Sequence, residues 1–334
     1  MNTSAREIPG LEAARLAPSA HNTQPWRFRK ENGLVRIGWD PHRELPAGDP
    51  RSRYLLTGLG AATESMALGA AQVGLSAEVS FALSPSAREV ATLDFSPGLG
   101  SSTDLALAKA IPRRQTTRLP FYNDPIPIGV VDELMHEGEI NGCSLAVITG
   151  RSKVRRLARN LVEGTRRNFE ELKVYKEFFG WLRLNHNDPR YQQDGLTLES
   201  LSLGFPSSMI APWILPPTSL AVLKAVRLHF LLARTQGRLA DQSPAICLLV
   251  AKSHTLHDLF LGGRTMLRVW LAATNLGLRV HPITAMMDHD ETRIDLADLF
   301  GISQDSSMVV CFRVGFGPIS PRSPRLPVKE LVVS

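Results

Sequence analysis

Two long helices that resemble each other are predicted from the hydrophobic periodicity of the chain. Residues 55–75 carry apolar side chains at spacings of three and four and end in Gly74-Leu75. Residues 264–278 repeat this pattern and end in Gly277-Leu278. Laying Gly74 on Gly277 pairs similar residues: Leu68 with Leu271, Ala70 with Ala273, and Leu75 with Leu278. The match indicates an internal duplication, with a related half on each side of the chain's middle.

Short apolar or alternating segments predict the strands. They lie at residues 35–39, 77–83, 91–95, 144–149, 245–251, 279–286 and 308–314. Two of them directly follow the paired helices. Strands and helices alternate without a regular βαβ rhythm, so the pattern favours an α+β fold in layers over a doubly wound sheet.

Residues 178–233 have a different character. Apolar helical pieces are broken there by prolines at positions 206, 212, 216 and 217. Such a segment suits a lid, a dimer arm or an inserted helical cap. It equally suits core helices joined by proline loops, and the sequence leaves both interpretations open.

Composition limits the class of protein. The 334 residues are 43% hydrophobic and 21% charged, enough for one large or two modest domains with buried cores. No apolar run reaches the roughly 18 residues that span a bilayer, and residues 1–10 lack the apolar core of a signal peptide. Three widely spaced cysteines, Cys143, Cys247 and Cys311, suit a reducing compartment. We therefore expect a cytoplasmic protein with no membrane partner and no metal.

The formal charge of +6 raises the question of a nucleic-acid partner. Arg and Lys are spread along the chain and are not interleaved with aromatic residues on one face. The densest basic run, residues 151–167, has a helical pattern typical of a solvated helix face. We therefore expect no nucleic acid among the partners.

A candidate anion site comes from Arg114, Thr116 and Arg118. Their alternate spacing places the three side chains on one side of an extended or turning segment. Two guanidinium groups and a hydroxyl form a donor cluster suited to a phosphate dianion. The alternatives are a solvated basic turn and a contact to nucleic-acid phosphate.

A second candidate site lies in residues 17–28, APSAHNTQPWRF. Asn22 and Gln24 each offer hydrogen-bond donors and acceptors, and Pro25-Trp26 adds a rigid turn with a large apolar body. The combination suits a polar, planar ligand held against an apolar wall. It also suits a capped loop whose Trp26 anchors a core.

Both segments resemble the FMN-binding nitroreductase family. The first is similar to its P-S-x-x-N-x-Q-P-W signature, through Pro18, Ser19, Asn22, Gln24, Pro25 and Trp26. The second is similar to its R-x-S-x-(R/K) phosphate motif, through Arg114, Thr116 and Arg118, with Thr in place of Ser.

Two further segments carry the same resemblance. Gly277-Leu278 followed by residues 282–285 is similar to a G-L-x-x-x-P-I-x-G segment, whose backbone meets flavin N5 and O4 in that family. Arg325-Leu326-Pro327 resembles the C-terminal R-x-P whose Arg reaches the phosphate. The chain departs from the family in three places: Ala285 replaces the usual Gly, Thr284 a frequent acidic residue, and Ser323 a second basic residue of some relatives.

The order of these segments implies a fused arrangement. The Pro-Ser-Asn-Gln loop lies in the first half, without the phosphate motif that precedes it in ordinary members, and the other three segments follow later. The chain thus resembles the Acg-like twin nitroreductases, which show A-P-S-x-H-N-x-Q-P-W and R-R-x-x-R-L-P-F. The resemblance implies a degenerate half at 1–110 and a second half at 111–334, with a lid or insertion at 178–233. Such an internal pseudo-dimer could be a monomer or a homodimer.

The function implied by the resemblance is an FMN-dependent oxidoreductase that passes hydride or electrons to a small-molecule acceptor, with NAD(P)H as a candidate donor. The flavin carries the chemistry, and Arg118 acts as an electrostatic stabiliser. Phosphate contacts are expected from Arg114, Thr116 and Arg325. Contacts to the ring and ribityl chain are expected from the loop residues Pro18, Ser19, Asn22 and Gln24 and from the backbone of Thr284 and Ala285.

Two other functions remain open from the sequence. One is a flavin-sequestering or storage protein, whose lid covers FMN and prevents NAD(P)H-dependent turnover. The other is a basic interaction module without flavin.

Overall fold

The first of two antiparallel sheets is built from residues 26–97. A computed structural model describes residues 8–225, 227–303 and 306–333. The strands are β1 (Trp26–Glu31), β2 (Leu34–Trp39), β3 (Leu75–Ser84) and β4 (Glu89–Pro97), in the order β1-β2-β4-β3. Asn32 and Gly33 join β1 to β2 with φ of 51° and 84°, as a tight hairpin turn requires. Trp26 and Phe28 are fully buried, which fixes the register of β1.

The second sheet lies in the later part of the chain. Its strands are β5 (Cys143–Ile148), β8 (Ala245–Ala251), β9 (Arg279–Pro282) and β10 (Ser307–Gly315), in the order β5-β8-β10-β9. Two short parallel strands, β6 (Leu182–Arg183) and β7 (Leu196–Thr197), pair apart from both sheets. Every residue of β8 and β10 is buried, since helices cover both faces of this sheet.

The helices connect and cover the sheets. They are α1 (Leu11–Arg15), α2 (Arg53–Ala71), α3 (Ser102–Ala110), α4 (Ile128–Gly138), α5 (Arg151–Glu170), α6 (Leu172–Gly180), α7 (Ser207–Ile214), α8 (Leu220–Ala225), α9 (Leu228–Asp241), α10 (Leu256–Asn275) and α11 (Asp290–Phe300). None of them, within the described ranges, has the length and apolarity needed to cross a membrane. The α+β class predicted from the sequence is confirmed.

The two sheets share one topology. In each, the strands lie in the order first, second, fourth, third, and every neighbouring pair is antiparallel. A long helix joins the second strand to the third in both: α2 in the first sheet and α10 in the second. These are the two helices whose sequences resemble each other.

Helices α2 and α10 pack against each other through reciprocal glycine contacts. A Cβ on Gly60 would lie 2.0 Å from the carbonyl oxygen of Phe260, and one on Gly263 would lie 2.1 Å from that of Thr57. The offset that places Gly74 on Gly277 also places Gly60 on Gly263 and Thr57 on Phe260. Each contact is therefore the counterpart of the other under that offset, as expected for an interface with approximate twofold symmetry.

The C-terminal segment returns to the first sheet. Val332 forms a parallel bridge with Phe28 of β1, and Leu326 and Leu331 are buried in the core of the first half. On the second sheet, Thr116 forms a parallel bridge with Val280 of β9. These crossings bring segments that are distant in sequence to the boundary between the two sheets.

Six of the seven strand predictions are confirmed within one or two residues at their ends, including those for β3 and β4. The predicted strand at 279–286 is wrong after Pro282, because residues 285–287 turn into a 3₁₀ helix. The strand predictions do not include β1, because its first residues fall within the candidate ligand segment at 17–28. The Asn32-Gly33 turn was the available signal for it.

Candidate functional site

The loop before β1 has an unusual backbone. His21, Asn22 and Gln24 all have positive φ, at 48°, 57° and 51°. Such values are uncommon for residues other than Gly and persist only where surrounding contacts enforce them. The Ser19 hydroxyl supports the turn by accepting a hydrogen bond from the Gln24 amide at 2.9 Å.

The side-chain amide of Asn22 connects two distant segments. Its Nδ2 donates to the carbonyl oxygens of Gly195 at 3.1 Å and Pro324 at 3.0 Å, and its Oδ1 accepts from Arg325 at 2.8 Å. Asn22 thereby places Arg325 against the loop. Both ends of the amide bind protein atoms.

Gln24 has a similar structural role. Its side chain is fully buried, its Oε1 accepts from the Leu326 amide at 2.8 Å, and its Nε2 donates to the Gln193 carbonyl at 2.9 Å. The sequence suggested a ligand contact for this carboxamide. In the structure it joins the loop to the C-terminal segment and to the segment before β7.

Three arginines converge beside this loop. Arg114 and Arg325 both donate to the carbonyl oxygen of Leu16, at 3.0 and 3.3 Å, so their guanidinium groups are neighbours. Arg114 also lies 4.7 Å above the ring of Trp270 in α10. Arg118 donates to the Ser200 carbonyl at 2.6 Å.

These arginines have no acidic partners within the parts of the chain that the structure describes. Arg114, Arg118 and Arg325 bind carbonyl and amide oxygens, and no Asp or Glu lies within ion-pair distance of them. The Nε of Arg325 is buried without any hydrogen-bond partner. Buried cations are normally paired, so this cluster is electrostatically incomplete without an anion.

The protonation equilibria reflect the same imbalance. Burial, followed by the nearby charge of Arg325, lowers the pKa of Arg114 to about 9. Burial also lowers the pKa values of Arg118 and Arg325 to about 10. In each case the cost of desolvation exceeds the available compensation, and a bound anion would reverse the shift.

A cavity of about 570 Å³, its open mouth included, lies between these groups. Seven of the ten residues proposed from the sequence line it: Pro18, Ser19, Asn22, Arg114, Thr116, Arg118 and Arg325. They come from the N-terminal loop, from the segment after α3 and from the C-terminal segment. The structure thus brings together three of the four motif segments.

Gln24, Thr284 and Ala285 do not line this cavity. The Thr284 carbonyl accepts a hydrogen bond from the Tyr54 hydroxyl at 3.5 Å. The Ala285 carbonyl oxygen lies 2.4 Å from where a Cβ on Gly164 of α5 would stand, so α5 packs directly on this turn. Their proposed contact with a flavin ring remains a prediction.

The segment from β6 to Ser200 covers one side of the cavity. Leu196 lines it, and the Gly195 amide donates to the Asn22 carbonyl at 3.3 Å. Asp194 is fully buried and pairs with Arg43 at 3.0 Å and with Arg183 at 2.7 Å. This ion-pair cluster fixes the segment to the first half, and sequence reasoning missed it because its members are far apart in the chain.

His21 is a further residue that the sequence did not single out. Its ring packs edge-on against Phe178 with centroids 5.2 Å apart. Burial, followed by repulsion from Arg118, lowers its pKa to about 4. It is therefore neutral at pH 7 and adds no charge to the arginine cluster.

Comparison with known proteins gives several relatives, although no family profile matches the chain. The chain is 26% identical over 337 residues to "Putative NAD(P)H nitroreductase Rv3131" of Mycobacterium tuberculosis, across 96% of this chain and 89% of that protein. It is 37% identical over 117 residues to the acg protein of the same organism, across 34% and 35% of the two chains. "Probable NAD(P)H nitroreductase PigM" of Serratia is 22% identical over 316 residues, across 86% and 82%.

Solved structures give weaker likenesses. The FMN-dependent nitroreductase NfnB of Mycobacterium smegmatis, in complex with NADPH, aligns at a TM-score of 0.42 with 16% identity, across 69% of this chain and 97% of that one. A nitroreductase of Bacteroides fragilis with bound FMN aligns at 0.37 with 12% identity, across 64% and 88%.

Fold and site together define an α+β protein with two sheets of the same strand order and a cavity lined by three arginines. Over nearly its full length the chain is similar to Rv3131, a protein named as a putative NAD(P)H nitroreductase, and the order of its motifs agrees with the resemblance to that family. The resemblance predicted from the sequence is confirmed.

Proposed function

We propose that the protein is an FMN-binding oxidoreductase that acts on a small-molecule acceptor. The observation that carries the proposal is the convergence of Arg114, Arg118 and Arg325 in one cavity, where no carboxylate from the described residues balances their charge. The names of the full-length relatives support the reaction class, because they are called NAD(P)H nitroreductases.

The donors in the cavity fit the phosphate of FMN. Arg114 and Arg325 are adjacent, Thr116 adds a hydroxyl, and the unpartnered Nε of Arg325 provides a further donor. Charge-assisted bonds of this kind contribute about 1.5–3 kcal/mol each. Two or three of them supply a large share of a micromolar affinity, which corresponds to roughly −8 kcal/mol.

Bound FMN would supply hydride or electron transfer, and the chain would hold it in place. Arg114, Thr116 and Arg325 would bind the phosphate. Arg118 would offset negative charge at the other end of the cavity, beside the neutral His21. The loop at Pro18 and Ser19 would border the ribityl chain.

Asn22 and Gln24 would act mainly by positioning. Their amides fix the C-terminal segment and residues 193–195 next to the cavity. The backbone of Thr284 and Ala285 is the proposed contact for the ring edge, as implied by the family resemblance.

The same proposal includes a fused pseudo-dimer with one flavin site. Its support is the shared strand order of the two sheets and the reciprocal packing of Gly60 and Gly263. The division at residues 110 and 111 and a cytoplasmic location belong to this proposal. The three buried, free cysteines suit a reducing compartment.

The first experiment identifies the cofactor and the reaction. Protein reconstituted with excess flavin and then denatured should release FMN at one equivalent per chain, and NADH or NADPH should bleach the bound flavin without oxygen. Release of FAD alone, or of no flavin, would contradict FMN binding. Two equivalents would contradict the single fused site. Bound FMN that neither nucleotide reduces would favour a storage protein.

The second experiment tests the phosphate contact. Arg114→Gln should weaken FMN binding by about 1.5–3 kcal/mol, or roughly 10- to 150-fold, when measured by flavin fluorescence titration. Arg113→Gln is the matched control, because Arg113 is exposed and binds Asn275. Riboflavin lacks the phosphate, so its affinity should not change. Equal FMN affinity in both variants would remove Arg114 from the phosphate site.

A further inference from the structure

Helix α7 presents an apolar face to solvent. Met209, Ile210 and Trp213 are 63%, 48% and 81% exposed, and Phe205 just before the helix is 83% exposed. At about 100° per residue the three helix positions fall within an arc of about 100°. Ala211, on the opposite side, is buried. The helix thus rests on the protein by its small residue and turns its large apolar residues outward.

A patch of this kind marks an interaction surface rather than chance exposure. Single exposed apolar residues occur on every protein surface, but four large ones within nine positions, on one helix and its entry, do not belong to that background. The other end of α7 is fixed, because the Leu215 carbonyl accepts a hydrogen bond from Tyr175 at 2.7 Å. The exposed face is therefore held in place.

The segment of chain that carries this patch has charge of one sign. Between Glu199 and Asp241 the sequence contains no acidic residue. It contains four basic ones: Lys224, Arg227, Arg234 and Arg238. The two flanking acids are already engaged, Glu199 with the Tyr191 hydroxyl at 2.6 Å and Asp241 with Arg151 at 3.4 Å.

Three of these cations are available for a partner. Arg227, Arg234 and Arg238 are exposed, and no carboxylate among the described residues lies within ion-pair distance of them. Arg234 lies 5.0 Å above the ring of Phe230. The segment therefore combines exposed apolar and aromatic side chains with unpaired guanidinium groups.

We propose that residues 204–240 dock on the surface of an anionic lipid membrane, with the apolar face of α7 in the headgroup region. Trp and long apolar side chains suit the boundary between headgroups and acyl chains, and arginines bind lipid phosphates. A second copy of the same segment fits less well, because it would bring like charges together. The proposal revises the sequence-based expectation of no membrane partner, which rested on the lack of a spanning segment; surface docking needs none.

Co-sedimentation with vesicles tests this docking. The full chain should sediment with vesicles of phosphatidylglycerol and phosphatidylcholine but not with phosphatidylcholine alone, and the binding should decline as salt is raised. Met209→Ser with Trp213→Ser should reduce the partition coefficient by about tenfold or more. Leu99→Ser is the matched control, since Leu99 is 96% exposed in the first half, outside the segment.

Three results of these binding experiments would overturn membrane docking. Absence of wild-type binding to anionic vesicles at low salt overturns the proposal, as does equal binding by the double variant and by the Leu99 control. Self-association that Trp213→Ser abolishes, without vesicle binding, identifies a second copy as the occupant and also overturns it. If the double variant fails to fold, each single variant is measured, with its thermal unfolding as the check.

Discussion

Arg114 illustrates how one side chain can define a site. Its guanidinium is buried, lies over Trp270 and binds only a carbonyl oxygen, and its pKa falls to about 9. A buried arginine without a carboxylate partner destabilises the fold unless a bound anion pairs with it. A bound anion would offset the cost of burying Arg114 and of partly burying Arg118 and Arg325 beside it.

His21 gives a prediction at the same scale. Its pKa in the folded state, about 4, lies below the ordinary 6.5, so the unfolded chain binds more protons between these values. The stability from neutral His21 is complete above pH 6.5 and is lost as the pH falls toward 4. Asn tolerates positive φ, so His21→Asn should preserve the loop. The variant should lose up to about 3 kcal/mol less unfolding free energy than the wild type as the pH falls.

Urea unfolding at pH 7 and pH 4.5 measures the effect. His281, whose pKa burial also lowers, contributes to the pH dependence of both proteins, so the comparison is between the two slopes. Identical slopes in the variant and the wild type would mean that His21 is not held neutral by its surroundings.

At the scale of elements, the segment from β6 to Ser200 depends on Asp194. Asp194→Asn should deprive buried Arg43 and Arg183 of their nearest carboxylate, at a cost of about 3–5 kcal/mol to the closed segment. Hydrogen exchange should become faster in residues 182–200 before it does in β8. Asp188→Asn is the control, because Asp188 approaches Arg183 only to 3.9 Å and is partly exposed. Unchanged exchange in the Asp194 variant would show that other contacts hold the segment.

The packing of α2 on α10 gives a second prediction at this scale. Gly60→Ala and Gly263→Ala should each destabilise the protein by about 1–3 kcal/mol or more, because the added methyl meets a backbone carbonyl at 2.0 or 2.1 Å. Gly129→Ala in α4 has open space around it and should be neutral or slightly stabilising. Urea unfolding measures the free energy of unfolding of the three alanine variants. A tolerated Gly60→Ala would contradict the close approach of the helices.

The local sequence identified which residues lie at the site better than it identified which groups their side chains bind. The spacing of Arg114, Thr116 and Arg118, and the position of Arg325, indicated an anion site without any structure. The carboxamides of Asn22 and Gln24 were expected to face a ligand, yet they bind backbone groups far away in sequence. Amide side chains suit a ligand and a carbonyl equally well, so local pattern alone does not separate the two roles.

For the whole molecule, the sequence indicated two related halves, and the matching strand orders support that architecture. What it did not indicate is which segments pair with strands that are distant in sequence. The C-terminal segment packs on the first sheet, whereas Thr116 bridges to the second. A segment can pair with a distant sheet only where that sheet has an exposed edge strand. Because the edges are set when the sheets assemble, local sequence does not reveal them.

The contact between Asn22 and Arg325 has a consequence for biosynthesis. The two residues are 303 positions apart, so the anion site stays incomplete until nearly all of the described chain has left the ribosome. At about 5–20 residues per second, that interval lasts roughly 15–60 s. Through this time the N-terminal loop, with its three residues at positive φ, lacks its contact to Arg325, so a ligand of the proposed site would bind after translation.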